Sequence, residues 1–442
     1  MTSSRETAPP GRPAHPANSP IGPRAATRSG RTDHGPVPRG APSYPPRVRA
    51  TPLPENGRRG RGALTNESGR FEPRARAPLD DGWGALDAPA PLKTEVTSEN
   101  ARAVLTRNSS PDLPFDRSIN PYRGCEHGCI YCFARPTHAY MGLSPGLDFE
   151  SRLFAKPNAA ALLEKELARP GYEPAPIALG TNTDPYQPIE QRYRITRSLL
   201  EVLSAYNHPV TIVTKSARVT RDLDILSSMA ERNLAKVYLS ITTLDAKLAR
   251  TMEPRASTPS RRMEAISMLA QAGVPAGVMV APVIPALTDS EMEKILTGAA
   301  YAGAKEAGFI VLRLPLEIKD LFREWLAENK PDAAAHVMSL IRQMRGGKDY
   351  DAEWGKRMRG DGPYAWQIAR RFELATKKLG LVKKAESSTA PASWSPAAAN
   401  NWRCFKGRFC TRRREGAKDM KIRRRVAARG WLYLRREDTS GA

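Results

Sequence analysis

The chain of 442 residues carries 69 Lys and Arg against 46 Asp and Glu, which gives a formal net charge of +23. No stretch approaches the ~18 apolar residues that a membrane span needs, and the N-terminus lacks the apolar core of a secretory signal. These features exclude an integral membrane protein, and we expect a cytoplasmic one. The five cysteines, an odd number with three of them clustered, exclude a disulfide-stabilised secreted scaffold.

Composition divides the chain into a well-patterned middle and two loose ends. Residues 1–100 are rich in Pro, Gly and Arg and have no apolar periodicity, so we expect a disordered tail. We assign 101–345 to a catalytic domain, 346–384 to a helical extension and 385–442 to a second disordered tail. Most of the positive charge lies in the tails, where the basic run 411–425 either binds nucleic-acid phosphates nonspecifically or is simply solvated.

Short apolar runs alternate with helical patterns from residue 119 onward. The runs have the nearly continuous hydrophobicity of parallel strands that are buried on both faces. Six strands are predicted, at 119–123, 177–181, 210–214, 237–241, 277–281 and 309–314. Helices are predicted between them at 193–206, 258–272 and 288–304, and after them at 317–328, 332–345 and 363–379.

Repeated strand-helix units form either an open doubly wound sheet or a barrel. Because the sequence lacks a Gly-rich dinucleotide fingerprint, we predict an α/β fold with a partial (β/α)6 TIM-type barrel. The first step, from 119 to 177, is longer than the others and must hold an insertion. In either architecture, functional groups gather at the carboxyl ends of the strands.

A cysteine cluster directly after the first predicted strand is the strongest functional signal. Residues 120–136 place Cys125, Cys129 and Cys132 in a C-x3-C-x2-C array, with Gly124 and Gly128 relieving backbone crowding in the loop. Three thiolates can grip an iron–sulfur cubane and leave one iron without a protein ligand. A Cys3His zinc site, completed by His127 or His138, is the alternative at this stage.

This array, with the aromatic Tyr131 before the third cysteine, resembles the signature of the radical S-adenosylmethionine (SAM) superfamily. The resemblance implies a [4Fe-4S] cluster on the three cysteines, SAM as the second cofactor and Tyr131 beside it. It also implies reductive cleavage of SAM to a 5′-deoxyadenosyl radical, which abstracts hydrogen from a substrate. A flavodoxin- or ferredoxin-type reductant is then the expected partner, and we expect a monomer.

Later segments are similar to the spore photoproduct lyase branch of that superfamily. The stretches 177–190, 211–216 and 238–242 carry the resemblance, which implies that Thr183, Lys215 and Ser240 contact SAM. We also expect polar groups near Asp184 to suit the ammonium end of SAM. The sequence departs from the branch at Thr181, where those lyases have a hydrogen-donating cysteine, so the lesion-repair mechanism is not expected to carry over.

Three questions stay open from the sequence alone. The substrate is unidentified, and the alternative function is a nucleic-acid-binding protein with a structural or redox-sensing iron–sulfur cluster. Glu253 and Arg255 form either a loop ion pair or a site for a substrate anion. Cys404 and Cys410 are expected to be free thiols in the C-terminal tail.

Overall fold

A computed structural model describes residues 52–55, 57–72 and 91–381, which all lie within the unit Pro46–Ala442. The predictions for 382–442, which include Cys404, Cys410 and the basic run 411–425, lie outside the described residues. So does most of the predicted N-terminal tail.

Ten strands are present in the described residues: β1 Glu95–Ser98, β2 Leu105–Arg107, β3 Arg117–Ile119, β4 Tyr122–Arg123, β5 Arg152–Ala155, β6 Ile177–Leu179, β7 Val210–Thr214, β8 Ala235–Ser240, β9 Ala276–Val283 and β10 Glu306–Val311. Eleven α-helices are present there as well: α1 Asp148–Ser151, α2 Ala159–Leu167, α3 Glu190–Tyr193, α4 Ile195–Ala205, α5 Leu223–Glu231, α6 Ala246–Met252, α7 Pro259–Gln271, α8 Met292–Tyr301, α9 Ile318–Asn329, α10 Pro331–Gln343 and α11 Pro363–Lys378. Within the described ranges, no helix combines the length and the apolar composition needed to cross a bilayer.

The main sheet confirms the predicted partial barrel. Its strand order is β10-β9-β8-β7-β6-β3-β2, and the six strands from β3 to β10 in this row pair in parallel, while β2 is an antiparallel edge. Apolar side chains of these strands are buried, among them Ile212, Val237 and Val278. Because the strands are parallel, all six carboxyl ends meet at one mouth.

The first predicted strand is divided between two sheets. β3 ends at Ile119, and β4 pairs with β5 in a second sheet of order β1-β5-β4. Pro121 lies at the division and has no N–H to continue a ladder. The long first step does hold an insertion, which comprises α1, β5 and α2.

Part of the predicted N-terminal tail belongs to the folded domain. Ala63, Leu64 and Thr65 are buried, and Arg61 donates to the carbonyl of Glu150 at 2.6 Å. β1 pairs in parallel with β5. The segment 61–65 and β1 attach to the domain largely through backbone hydrogen bonds and not through a periodic apolar face. Hydrophobic periodicity therefore could not reveal the attachment. For the described residues, the predicted boundary at 100 is therefore too far along the chain.

The buried His208 makes folding sensitive to mild acid. Its Nε2 lies 2.9 Å from the Tyr172 hydroxyl, and burial lowers its pKa to about 4. Between pH 6.5 and 4 the unfolded chain therefore binds a proton at this position that the folded chain does not, so stability falls as the pH falls. We expect His208→Gln to reduce the loss of unfolding free energy between pH 7 and 4.5 by about 2 kcal/mol. Urea unfolding of both proteins at several pH values measures this difference, and equal pH slopes would contradict it.

Candidate active site

The three clustered cysteines lie in a loop of successive tight turns at the mouth of the barrel. The N–H of Gly128 donates to the Cys125 carbonyl at 3.3 Å, and the N–H of Cys132 donates to the Cys129 carbonyl at 3.2 Å. All three cysteines are free; Cys125 and Cys129 are buried and Cys132 is half-buried. The loop therefore presents three unpaired thiols within eight consecutive residues.

The thiols are electrostatic neighbours. Burial, followed by the charges of Asp184 and the other two cysteines, raises the pKa of Cys125. Burial also raises the pKa values of Cys129 and Cys132, while the nearby Lys215 lowers both in part. Such buried thiols become good ligands only when a metal replaces their protons.

As placed, no three His, Cys, Asp or Glu side chains within 52–55, 57–72 and 91–381 are arranged to hold a metal ion. The thiols interact electrostatically but do not form a closed ligand set. The two histidines of the zinc alternative are engaged elsewhere. His127 lies with its Nδ1 3.4 Å from Asp184, and His138 contacts the Arg152 carbonyl through Nε2 at 2.9 Å.

Two glycines give the loop its shape, as predicted. Gly124 and Gly128 have φ values of +72° and +69°, in the left-handed region. A Cβ at Gly124 would lie 2.8 Å from the carbonyl oxygen of Phe149, and one at Gly128 would lie 2.6 Å from the Glu150 carboxylate. Any side chain at either position would therefore displace the cysteines.

A buried ion pair supports the loop from behind. Arg135 pairs with Glu150, and both side chains are fully buried. The Glu150 carboxylate also accepts from the N–H of Gly62 at 2.8 Å and of Ala63 at 2.9 Å. The guanidinium of Arg135 donates to four backbone carbonyls, those of Gly128, Cys129, Pro145 and Gly146. The sequence did not predict this ion pair. The only available signal was the position of Arg135, three residues after Cys132.

The other side of the loop is held by Gln187. Its amide donates to the Gly124 carbonyl at 3.2 Å and accepts from the N–H of Glu126 at 2.9 Å. The Glu126 carboxylate pairs with Arg255. Glu253 pairs instead with Arg262. Of the two alternatives for Glu253 and Arg255, the loop ion pair between them is not formed, because each residue has a different partner.

Three of the four predicted SAM contacts come together at the strand ends. The ammonium of Lys215, after β7, lies 2.5 Å from the hydroxyl of Ser240, the last residue of β8. It also donates to the Ala281 carbonyl of β9 at 3.0 Å and lies 5.5 Å from the ring centroid of Tyr131. In the described part of the chain, Lys215 has no carboxylate at ion-pair distance. Its charge reaches Glu253, but that carboxylate pairs with Arg262 rather than with the ammonium of Lys215.

Tyr131 is buried, and its hydroxyl donates to Glu253 and lies 3.1 Å from that of Thr242. Burial raises the pKa of Tyr131, and the charge of Glu253 raises it further. Burial alone would raise the pKa of Glu253, but Arg262 and Lys215 outweigh burial, so this pKa is lowered. The ring of Tyr131 is therefore held rigidly beside the cysteines.

Thr183 and Asp184 have other partners. The Thr183 hydroxyl donates to the Tyr122 carbonyl at 3.2 Å. The Asp184 carboxylate accepts from the Thr214 hydroxyl at 2.6 Å and from the N–H of Lys215 at 2.7 Å. With His127 on its other side, Asp184 links the cysteine loop to the end of β7. Its carboxylate is already used by protein donors, so the expectation that it suits the SAM ammonium is not supported.

The chain matches a family model and several known proteins. A family model described as the radical SAM superfamily matches residues 119–297. An uncharacterized protein of Mycobacterium tuberculosis is 40% identical over 259 residues, which cover 58% of this chain and 76% of that protein. A protein of Methanocaldococcus jannaschii is 26% identical over 199 residues, or 45% of this chain and 71% of that protein.

Solved structures that the chain matches include spore photoproduct lyase complexed with dinucleoside spore photoproduct. It is 18% identical, with a TM-score of 0.47, and the match covers 64% of this chain and 79% of the lyase. Streptococcus suis SuiB bound to S-adenosylmethionine is 15% identical, with a TM-score of 0.29, over 50% of this chain and 44% of SuiB. The family match spans the cysteine loop and four of the six parallel strands, from β6 to β9, and begins at the last residue of β3. The chain belongs to the radical SAM superfamily of enzymes, whose members use an iron–sulfur cluster, SAM and an external reductant.

Proposed function

We propose that Cys125, Cys129 and Cys132 hold a [4Fe-4S] cluster and that SAM binds between this cluster and the ends of β7 and β8. The observation that carries the proposal is the ammonium of Lys215, which contacts only neutral oxygens and faces the ring of Tyr131. A cation without a carboxylate partner beside three free thiols suits a ligand that carries its own carboxylate.

The bound cluster and SAM together supply a 5′-deoxyadenosyl radical that removes hydrogen from the substrate. Lys215 would pair with the carboxylate of bound SAM. The Ser240 hydroxyl donates to the Ala281 carbonyl at 2.9 Å and would have to exchange that bond for one to SAM. Tyr131 forms a rigid wall because Glu253 and Thr242 hold its hydroxyl. Thr183 would have to exchange its bond to the Tyr122 carbonyl for a bond to SAM.

We further propose a reaction that differs from lesion repair by spore photoproduct lyase. Thr181 stands where that enzyme has its hydrogen-donating cysteine, and the Thr181 hydroxyl lies 3.5 Å from the side-chain oxygen of Asn120. A hydroxyl holds its hydrogen too strongly to replace a thiol. The cysteines of the described residues are the three proposed ligands, so the product hydrogen comes from another donor. A flavodoxin or ferredoxin is the proposed source of electrons.

Release of 5′-deoxyadenosine tests the proposal. We expect anaerobically reconstituted protein, given dithionite and SAM, to release 5′-deoxyadenosine, as measured by liquid chromatography. The matched control is the triple variant Cys125→Ala, Cys129→Ala, Cys132→Ala. It should bind no cluster iron and release no 5′-deoxyadenosine. Wild-type release no greater than that of the variant would reject the enzyme in favour of a structural or redox-sensing cluster. Full iron content in the variant would reject the ligand assignment.

A further inference from the structure

A second cation without a carboxylate partner lies at the mouth of the barrel. Arg313 follows β10, the last parallel strand, between the buried Leu312 and Leu314. The N–H of Leu312 donates to the Val283 carbonyl at 3.0 Å, so β9 holds the backbone directly before Arg313. Arg313 therefore projects from a rigid strand end rather than from a free loop.

The guanidinium of Arg313 has only weak acceptors. Its Nη1 lies 3.5 Å from the Met358 sulfur, and its Nη2 lies 3.3 Å from the Tyr350 hydroxyl. Its Nε is buried and has no partner among the described residues. The charge of Arg313 reaches Asp112, but that carboxylate is bound by Arg357 at 2.6 Å. No acidic side chain in the described ranges neutralises Arg313.

A second guanidinium increases the positive potential at this position. Arg345 is buried, and it donates to the carbonyls of Leu312 at 2.9 Å and Lys356 at 2.7 Å. Its Nε is also buried without a partner in the described part of the chain. Burial and the charge of Arg313 both lower the pKa of Arg345. The charges of Tyr350 and Asp351 act in the opposite direction, but the hydrogen bonds of Arg345 in the described part of the chain go to carbonyls and not to carboxylates.

Arg313 also adjoins the cysteine loop. Its guanidinium carbon lies 5.0 Å from the ring centroid of Phe133, which follows Cys132 and is 45% exposed. Phe133 belongs to the loop after the first parallel strand and Arg313 follows the last one, so the two ends of the open barrel meet here. A group bound by Arg313 would therefore lie at the entrance to the proposed radical site. The contact with the Phe133 ring orients the guanidinium of Arg313, but it gives the N–H groups no acceptor.

We propose that Arg313 binds an anionic group of the substrate, a phosphate or a carboxylate, and holds it at the mouth beside Phe133. The assignment of this anion to the substrate rests on the proposed function, whereas the anion-binding test below does not. A guanidinium presents paired N–H donors that match two oxygens of such a group, and Arg345 strengthens the attraction without touching the ligand. The substrate is therefore an anion that approaches along the edge between the cysteine loop and β10.

Protection from phenylglyoxal tests the site in the wild-type full chain. We expect inorganic phosphate or acetate, at constant ionic strength, to slow modification of Arg313 about threefold or more in a saturable manner. Arg370, on the exposed side of α11 with 63% of its side chain accessible, is the internal control and should be unaffected. Peptide mass mapping gives both rates. Protection by phosphate or by acetate identifies the class of anion, and equal behaviour of the two arginines would overturn the proposal.

A matched pair of variants provides the second measurement. Phosphate or acetate, whichever protects Arg313, should raise the urea midpoint of the wild type and of Arg370→Gln, and this shift should be lost in Arg313→Gln. An unchanged shift in Arg313→Gln would overturn the site. If Arg313→Gln does not fold, the protection assay still decides. Protection of Arg313 in a protein that releases no 5′-deoxyadenosine would reject the proposed function while leaving the anion site intact.

Discussion

Arg135→Ala should lower the free energy of unfolding by about 3–5 kcal/mol and prevent stable iron loading at the cysteine loop. The substitution leaves the fully buried Glu150 carboxylate without its cation. It also removes every hydrogen bond from the guanidinium to the carbonyls of Gly128 and Cys129, which fix the backbone between two proposed ligands. Urea unfolding and iron content per chain after reconstitution measure the two effects.

The exposed pair Arg123–Glu99, near the opposite end of the loop, supplies the matched control. Arg123 is 48% exposed and lies 2.7 Å from Glu99. Because solvent screens such a pair, Arg123→Ala should change stability by about 1 kcal/mol or less and leave iron content unchanged. Arg135→Lys keeps the charge but not the paired N–H donors of the guanidinium. Its losses of stability and iron content should lie between those of Arg123→Ala and Arg135→Ala. Equal losses in Arg123→Ala and Arg135→Ala would contradict the assignment of Arg135 as the support of the loop.

The features that the sequence predicts well are those with a local signature. Five of the six predicted runs became parallel strands, because nearly continuous apolar residues suit a strand that is covered on both faces, while the first run was divided between two sheets. Gly124 and Gly128 were recognisable because a loop that turns back on itself needs left-handed backbone. Lys215 and Ser240 were placed together by resemblance, and the structure brings them within 2.5 Å of each other.

The features that the sequence did not predict depend on long-range contacts. Glu150 meets Gly62 across 88 residues, and neither residue lies in a motif. The segment around Arg61 has the composition of a tail, yet it folds against the insertion through backbone donors and one arginine. Polar groups near Asp184 were predicted to suit SAM, and no signal in the sequence indicated that the Asp184 carboxylate would accept from Thr214 and from the N–H of Lys215. Position at a strand end predicts proximity to a site and not the partner of each side chain.

Lys215→Met should weaken SAM binding by about 3 kcal/mol, or about 100-fold in Kd, with little change in iron content. The variant keeps the bulk of the side chain and removes the charge that the SAM carboxylate would meet. Equilibrium dialysis with reconstituted protein under anaerobic conditions measures the Kd, and the iron content shows whether the cluster site is intact. Lys215→Arg keeps the charge with a different shape, so its loss should be smaller.

Lys236→Met is the control, because Lys236 lies in β8 toward the amino end and pairs with Glu306 at 2.8 Å. It removes the same charge from the same sheet at the end away from the cysteines, so a general change in electrostatics would weaken SAM binding in both variants. Loss in Lys215→Met alone would place the carboxylate of SAM at the mouth. Wild-type affinity in Lys215→Met would mean that the carboxylate of SAM lies elsewhere. The ammonium of Lys215, which has no carboxylate at ion-pair distance in the described residues, would then be expected to bind a different anion.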